Sequence, residues 1–137
     1  MINVEPVWKE GIFGKGVRVR INDDGVDSNH DEFGDRFDVG ASCTKYDALF
    51  YDEDQGVYDY TQHGTTVASI LGASGNNKQC AVGVAPEVTI SSCQIFDDDA
   101  LTFSDVDDFL DSDWLIEKLD QFDISQNSVG CEYQSLL

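Results

Sequence analysis

The chain has 137 residues, and 8 Lys and Arg against 27 Asp and Glu give a formal net charge of −19. That length suits one domain with a core of ordinary size. The charge excludes a generic nucleic-acid binder, because phosphate contacts need Lys and Arg, and it argues against docking on an anionic membrane face.

In chain order, residues 1–6 lack the basic-then-apolar pattern of an export signal. The chain is therefore expected either not to be exported or to lack its true start. Residues 5–11 predict a short helix anchored by Val7 and Trp8, and Gly11, Gly14 and Gly16 punctuate the turn after it. Residues 17–21 alternate as Val-Arg-Val-Arg-Ile, a strand pattern. The strand ends at Asn22-Asp23-Asp24-Gly25, a polar exit.

Residues 26–60 read as loop-rich and acidic, and no regular structure is assigned there. From His63, the small residues 64–73 predict a helix packed closely on its neighbours, ended by Gly75-Asn76-Asn77. Residues 88–96 form a second predicted strand. Residues 104–119 predict a helix with Ser104 as N-cap and acids in its first turn. Residues 122–127 form a third predicted strand. Alternating strands and helices imply an α/β domain with a parallel sheet. No apolar run approaches the roughly 18–20 residues of a membrane span.

The acid excess is mostly Asp, 20 against 7 Glu. Asp favours turns and also ligates hard cations such as Ca²⁺. A solvated acidic surface explains most of this excess. The four cysteines, Cys43, Cys80, Cys93 and Cys131, form no CxxC pair, so a zinc or thioredoxin-type site is disfavoured. Their even number permits two disulfides in three connectivities.

Two motifs carry chemistry. Asp23-Asp24-Gly25 follows a strand at the end where parallel sheets place their sites, although a plain polar turn would read the same. His63-Gly64-Thr65 opens the small-residue helix, and His63 is one of only two histidines. An Asp and a His brought together are two members of an Asp-His-Ser relay.

At these residues the chain resembles the subtilisin-like serine proteases. Residues 2–17, the Asp motif 19–27, the His motif 63–73 and Val-Gly-Val-Ala-Pro at 82–86 match in the family's order. Ser128-Val129-Gly130 is similar to the family's substrate-binding strand. Asp-Asp-Gly, Asn76-Asn77 and Cys80 resemble the kexin and furin branch. The resemblance implies a subtilisin-like parallel sheet flanked by helices, corresponding to the N-terminal part of the domain. It implies Asp23 and His63 as catalytic residues, and Asp24, Ser128 and Gly130 in the substrate cleft. It also implies a structural calcium held by Asn77 and Glu32 with the carbonyls of Ser74, Gln79 and Ala81, a subset of the six to eight oxygens such an ion takes. Peptide or protein substrates and the secretory route follow from the same likeness, and four cysteines permit that route.

The sequence departs from the family in several places. Tyr60 and Thr61 stand before the His motif where the branch carries acids, Thr44 stands at an expected acid, and Val129 replaces a Trp. The family's oxyanion Asn and Gly-Thr-Ser nucleophile block do not occur in these 137 residues. The chain is therefore expected to be a fragment of a serine endopeptidase, inactive in isolation, with the remainder of the catalytic domain missing. In the branch the cysteine matched by Cys80 bonds beyond this endpoint. Two other readings remain: a non-catalytic module that binds calcium or peptides, and a receiver-like phospho-signalling domain. The receiver plan leaves His-Gly-Thr and Val-Gly-Val-Ala-Pro unexplained.

Overall fold

The computed structural model describes residues 2–43, 46–52, 57–60, 62–79, 81–95 and 118–128. The first helix, α1 (Glu5–Lys9), has a proline in its first turn, where the missing N–H costs nothing. Its Trp8 indole donates to the carbonyl of Val84 at 2.9 Å. Val-Arg-Val-Arg-Ile becomes β1 (Arg18–Asp23). An antiparallel hairpin follows, β2 (Leu49–Asp52) and β3 (Val57–Tyr60), with Leu49 opposite Tyr60 and Asp52 opposite Val57. Then come α2 (His63–Gly72), β4 (Thr89–Gln94) and β5 (Ile124–Asn127).

β4, β1 and β5 form a parallel sheet in that order, so the α/β expectation holds. Parallel sheets are covered on both faces, and the alternation along β1 sorts its residues accordingly. On one face Val19 and Ile21 join Val26, Phe33, Ala68, Val88 and Ile90 in a single core cluster beneath α2. Burying each large apolar side chain there contributes roughly 1.5–3 kcal/mol. On the other face Arg20 lies buried with its guanidinium 4.1 Å from the Phe122 ring centroid. Asn22, also buried, donates to Ser125 Oγ at 2.9 Å and Asn127 Oδ1 at 2.8 Å on β5.

The small residues of α2 have a steric cause. A Cβ at Gly72 would lie 2.8 Å from Val88 Cγ1 and 3.0 Å from Ile90 Cδ1. α2 ends at Gly72, within a residue of the expected end at 73. Its last carbonyls are taken by the next loop, with Val84 N–H donating to Ile70 O, Ala85 N–H to Leu71 O and Gly83 N–H to Ala73 O at 2.8–3.0 Å. Terminal carbonyls of a helix need such partners, and here they come from Gly83, Val84 and Ala85.

The pairing of β2 with β3 is a departure, since no regular structure was expected there. The predicted helix at 104–119 lies mostly outside the described residues. Its described end differs: Lys118 has φ +60° and Leu119–Gln121 is a 3₁₀ turn. Lys118 Nζ donates to the carbonyls of Gly40 and Ser42 at 3.1 and 2.8 Å. That loop runs along β4, where Cys43 N–H donates to Ser92 O at 3.0 Å. Cys43 is disulfide-bonded to Cys93, which settles one of the open pairings; Cys80 and Cys131 lie outside the described residues. No helix among the described residues is long and apolar enough to cross a membrane.

Two stability predictions follow for the folded protein that carries this chain. A Cβ at Gly83 would lie 2.5 Å from the backbone nitrogens of Gly72 and Ala73. Urea denaturation of Gly83→Ala should therefore show a loss of about 3 kcal/mol. The Cys43–Cys93 bridge spans 50 residues. Replacing both cysteines by Ser should cost about 4 kcal/mol by the loop-entropy relation, read in the same experiment.

Candidate active site

The site forms where the end of β1 meets the start of α2. Asp23, 1% exposed, closes β1, and its backbone carbonyl accepts the Ile95 N–H at 2.8 Å. Its Oδ1 lies 2.7 Å from His63 Nδ1 and also accepts the Asp24 N–H at 2.9 Å. An ionised carboxylate only accepts hydrogen bonds, so the His63 proton sits on Nδ1. Nε2 of the neutral ring then carries a lone pair. The His63 side chain is 60% exposed. The His63 pKa is raised, first by the hydrogen bond to Asp23; burial opposes this, and the Asp23 and Asp24 charges add to it.

The glycines in both motifs are explained by this meeting. A Cβ on Gly64 would run into the Gly25 carbonyl, and one on Gly25, at φ +104°, would lie 2.5 Å from Asp47 O. Thr65 also has a task, because its Oγ1 accepts the Asp27 N–H at 2.9 Å.

Asp24 turns toward the helix. Its Oδ2 accepts the His63 N–H at 3.1 Å and its Oδ1 the Gly64 N–H at 2.6 Å. Its pKa is raised, chiefly by burial; the Gly64 N–H opposes this and the Asp23 charge adds to it. Ser128 sits exposed just beyond β5, its hydroxyl accepting from Gln126 Nε2 at 2.6 Å. It follows Asn127, the register partner of Asn22, and so lies toward the same end of the sheet as Asp23. Gly130 lies outside the described residues.

The residues expected to hold calcium converge in part. Glu32 is 5% exposed and accepts from Asn77 Nδ2 at 2.8 Å. The Glu32 carbonyl accepts the Ser74 N–H at 3.0 Å, and Asn77 Oδ1 accepts the Gln79 N–H at 3.1 Å. Ala81 follows in the loop leading to Gly83. A carboxylate, an amide and three carbonyls are the oxygen chemistry a hard cation takes. Among the described residues no group of three or more His, Cys, Asp or Glu gathers there, so the set is rich in neutral oxygens.

Sequence reasoning missed Arg36. Its Nη1 donates to Val88 O at 2.9 Å, and its Nη2 to Glu32 O and Ser74 Oγ at 2.7 Å each. The guanidinium thereby ties together the loops after β1 and α2 and the start of β4. Gln94, which donates to Asp24 O at 3.3 Å, was missed as well. Neither residue carries a motif, and both act across long sequence separations.

The raised His63 pKa has a signed consequence. Stability from the Asp23–His63 pair is fully present below the ordinary imidazole value of 6.5 and is lost as pH rises through the raised value. NMR titration of the full-length protein should place the His63 midpoint above 6.5. Asp23→Asn should bring it down.

Comparison with known proteins gives the chain's relatives. Furin-like protease 1, isoform 1-CRR, of Drosophila melanogaster is 42% identical over 102 residues, covering 72% of this chain and 9% of its own length. Human proprotein convertase subtilisin/kexin type 6 is 38% identical over 102 residues, covering 72% and 10%. Furin of Rattus norvegicus is 37% identical over 101 residues, covering 70% and 12%. The chain thus spans only about a tenth of these relatives. The solved CspB protease of Clostridium perfringens superposes with a TM-score of 0.60 at 20% identity, over 96% of this chain and 33% of that one, a likeness of fold. The sequence profile of the subtilase family matches residues 14–135. The chain belongs to the subtilase family of peptidases and resembles its furin and kexin branch.

Proposed function

We propose that this chain supplies the general base and its orienting acid in a serine endopeptidase. The observation that carries the proposal is the 2.7 Å bond between His63 Nδ1 and the buried Asp23 carboxylate. Asp23 holds the ring in the tautomer whose Nε2 can take a proton. That nitrogen deprotonates a serine hydroxyl as it attacks the peptide carbonyl, and Asp23 stabilises the imidazolium that results. The same proton then passes to the leaving amine. Among the described residues no serine hydroxyl is hydrogen-bonded to His63, and the nucleophile and oxyanion donor are assigned to residues outside these 137.

The substrates are peptides or proteins. A chain of net charge −19 draws basic peptides toward it at low salt, whatever its side-chain specificity. The Cys43–Cys93 disulfide fits an oxidising compartment, and with proprotein convertases among the relatives it supports the secretory route. We assign a structural calcium to Glu32, Asn77 and the carbonyls of Ser74, Gln79 and Ala81. Its role is to hold the loops after β1 and α2 together, alongside Arg36.

A serine-directed fluorophosphonate should label the full-length protein and leave the isolated 137-residue chain unlabelled. In the full-length protein His63→Ala should lower kcat by about 10⁴-fold on a peptide substrate. Labelling of the isolated chain would place the nucleophile among its own serines. Chelation by EDTA should lower the Tm of the full-length protein by about 5 °C, and Glu32→Gln should abolish that response. An unchanged Tm would remove the calcium assignment.

A further inference from the structure

We propose that Asp24 is a positioning residue for His63, clasping the first two backbone N–H groups of α2 so that the helix presents the imidazole to Asp23. The inference rests on the Asp23–His63 relay and concerns how that relay is held.

A helix begins with N–H groups that lack partners within it. Most helices satisfy some of them with a side chain at the N-cap. In α2 the N-cap is Gln62, whose side chain makes no capping bond, and the first turn carries no acid of its own. The cap comes instead from 39 residues earlier in the chain. Asp24 Oδ2 accepts from His63 N–H at 3.1 Å and Oδ1 from Gly64 N–H at 2.6 Å. A carboxylate at this end also meets the positive pole of the helix, and bonds to an ionised acceptor are the stronger kind.

Asp24 is braced on its own side. Its N–H donates to Asp23 Oδ1 at 2.9 Å, the same oxygen that holds His63 Nδ1. Its carbonyl accepts from Gln94 Nε2 at 3.3 Å. One residue therefore bonds to the orienting acid through its amide and to the base-bearing helix through its side chain. The missing Cβ at Gly64 makes room for the clasp, since a Cβ there would lie 2.9 Å from Asp24 Oδ1. Each oxygen of Asp24 accepts from one helix N–H.

The test compares Asp24→Ala and Asp24→Asn in the full-length protein, using two peptides that differ only in having a basic or a neutral residue next to the cleaved bond. Misplacing a catalytic group by about 1 Å costs about 100-fold, so Asp24→Ala should lose about that much in kcat on both peptides, with KM little changed. Asp24→Asn should recover part of the loss, because its one amide oxygen still accepts from a helix N–H. A low-field Nδ1–H proton resonance of His63 at acid pH should be present in the wild type and in Asp24→Asn, and lost in Asp24→Ala. A KM rise confined to the basic peptide, with the resonance intact, would make Asp24 a specificity residue and overturn the proposal. Absence of the resonance from the wild type would instead overturn the relay itself. If Asp24→Ala does not fold, Asp24→Leu, which keeps the side-chain size and has no acceptor, takes its place under the same criteria.

Discussion

The structure depends on how closely the end of β1 approaches the start of α2. The 2.7 Å contact between Asp23 and His63 requires a strand exit and a helix N-terminus to meet with almost nothing between them. Gly25 and Gly64 remove the side chains that would collide, and Asp24 fills the remaining space with a charged acceptor for the helix N–H groups. The two motifs are therefore halves of one packing arrangement as well as carriers of the paired acid and imidazole. A residue larger than glycine at either position would part the acid from the base.

The same constraint reaches outward through α2. Holding the helix at its start is useful only if its other end is also held. The loop 83–85 accomplishes this by donating to the last carbonyls of α2. Gly83 permits the approach, and Gly72 lets the helix lie directly on Val88 and Ile90 of the sheet side. Arg36 then joins the loop after α2 to the loop after β1 and to the start of β4. A cation at Glu32 and Asn77 would act on the same junction, with the divalent charge adding to a tie that the guanidinium already makes.

What the sequence revealed depended on how local each signal was. The alternation in β1 and the small residues of α2 are short-range patterns, so both elements and the parallel sheet were legible. Asp23 and His63 were legible because their motifs sit at element ends where parallel sheets place their chemistry. The hairpin 49–60 was not, because acids interrupt its alternation and its register comes from pairing. The end of α2 was legible to within a residue, but the loop 83–85 that takes its last carbonyls was not, because those bonds join residues apart in sequence. The bonds from Asp24 to the start of α2 were not legible, because they reach a helix 39 residues away. The alternation did not show the burial of Arg20 and Asn22, which are polar yet covered on the second face of the sheet.

The central claim is that His63 Nε2 is the reactive base of this protein and that Asp23 makes it so. A peptidyl chloromethyl ketone alkylates such a nitrogen, and peptide mapping by mass spectrometry locates the adduct. On the full-length protein the account predicts a single adduct on His63, greatly slowed in Asp23→Asn. Modification of His30 with His63 untouched, or an Asp23→Asn variant that reacts as fast as the wild type, would contradict it.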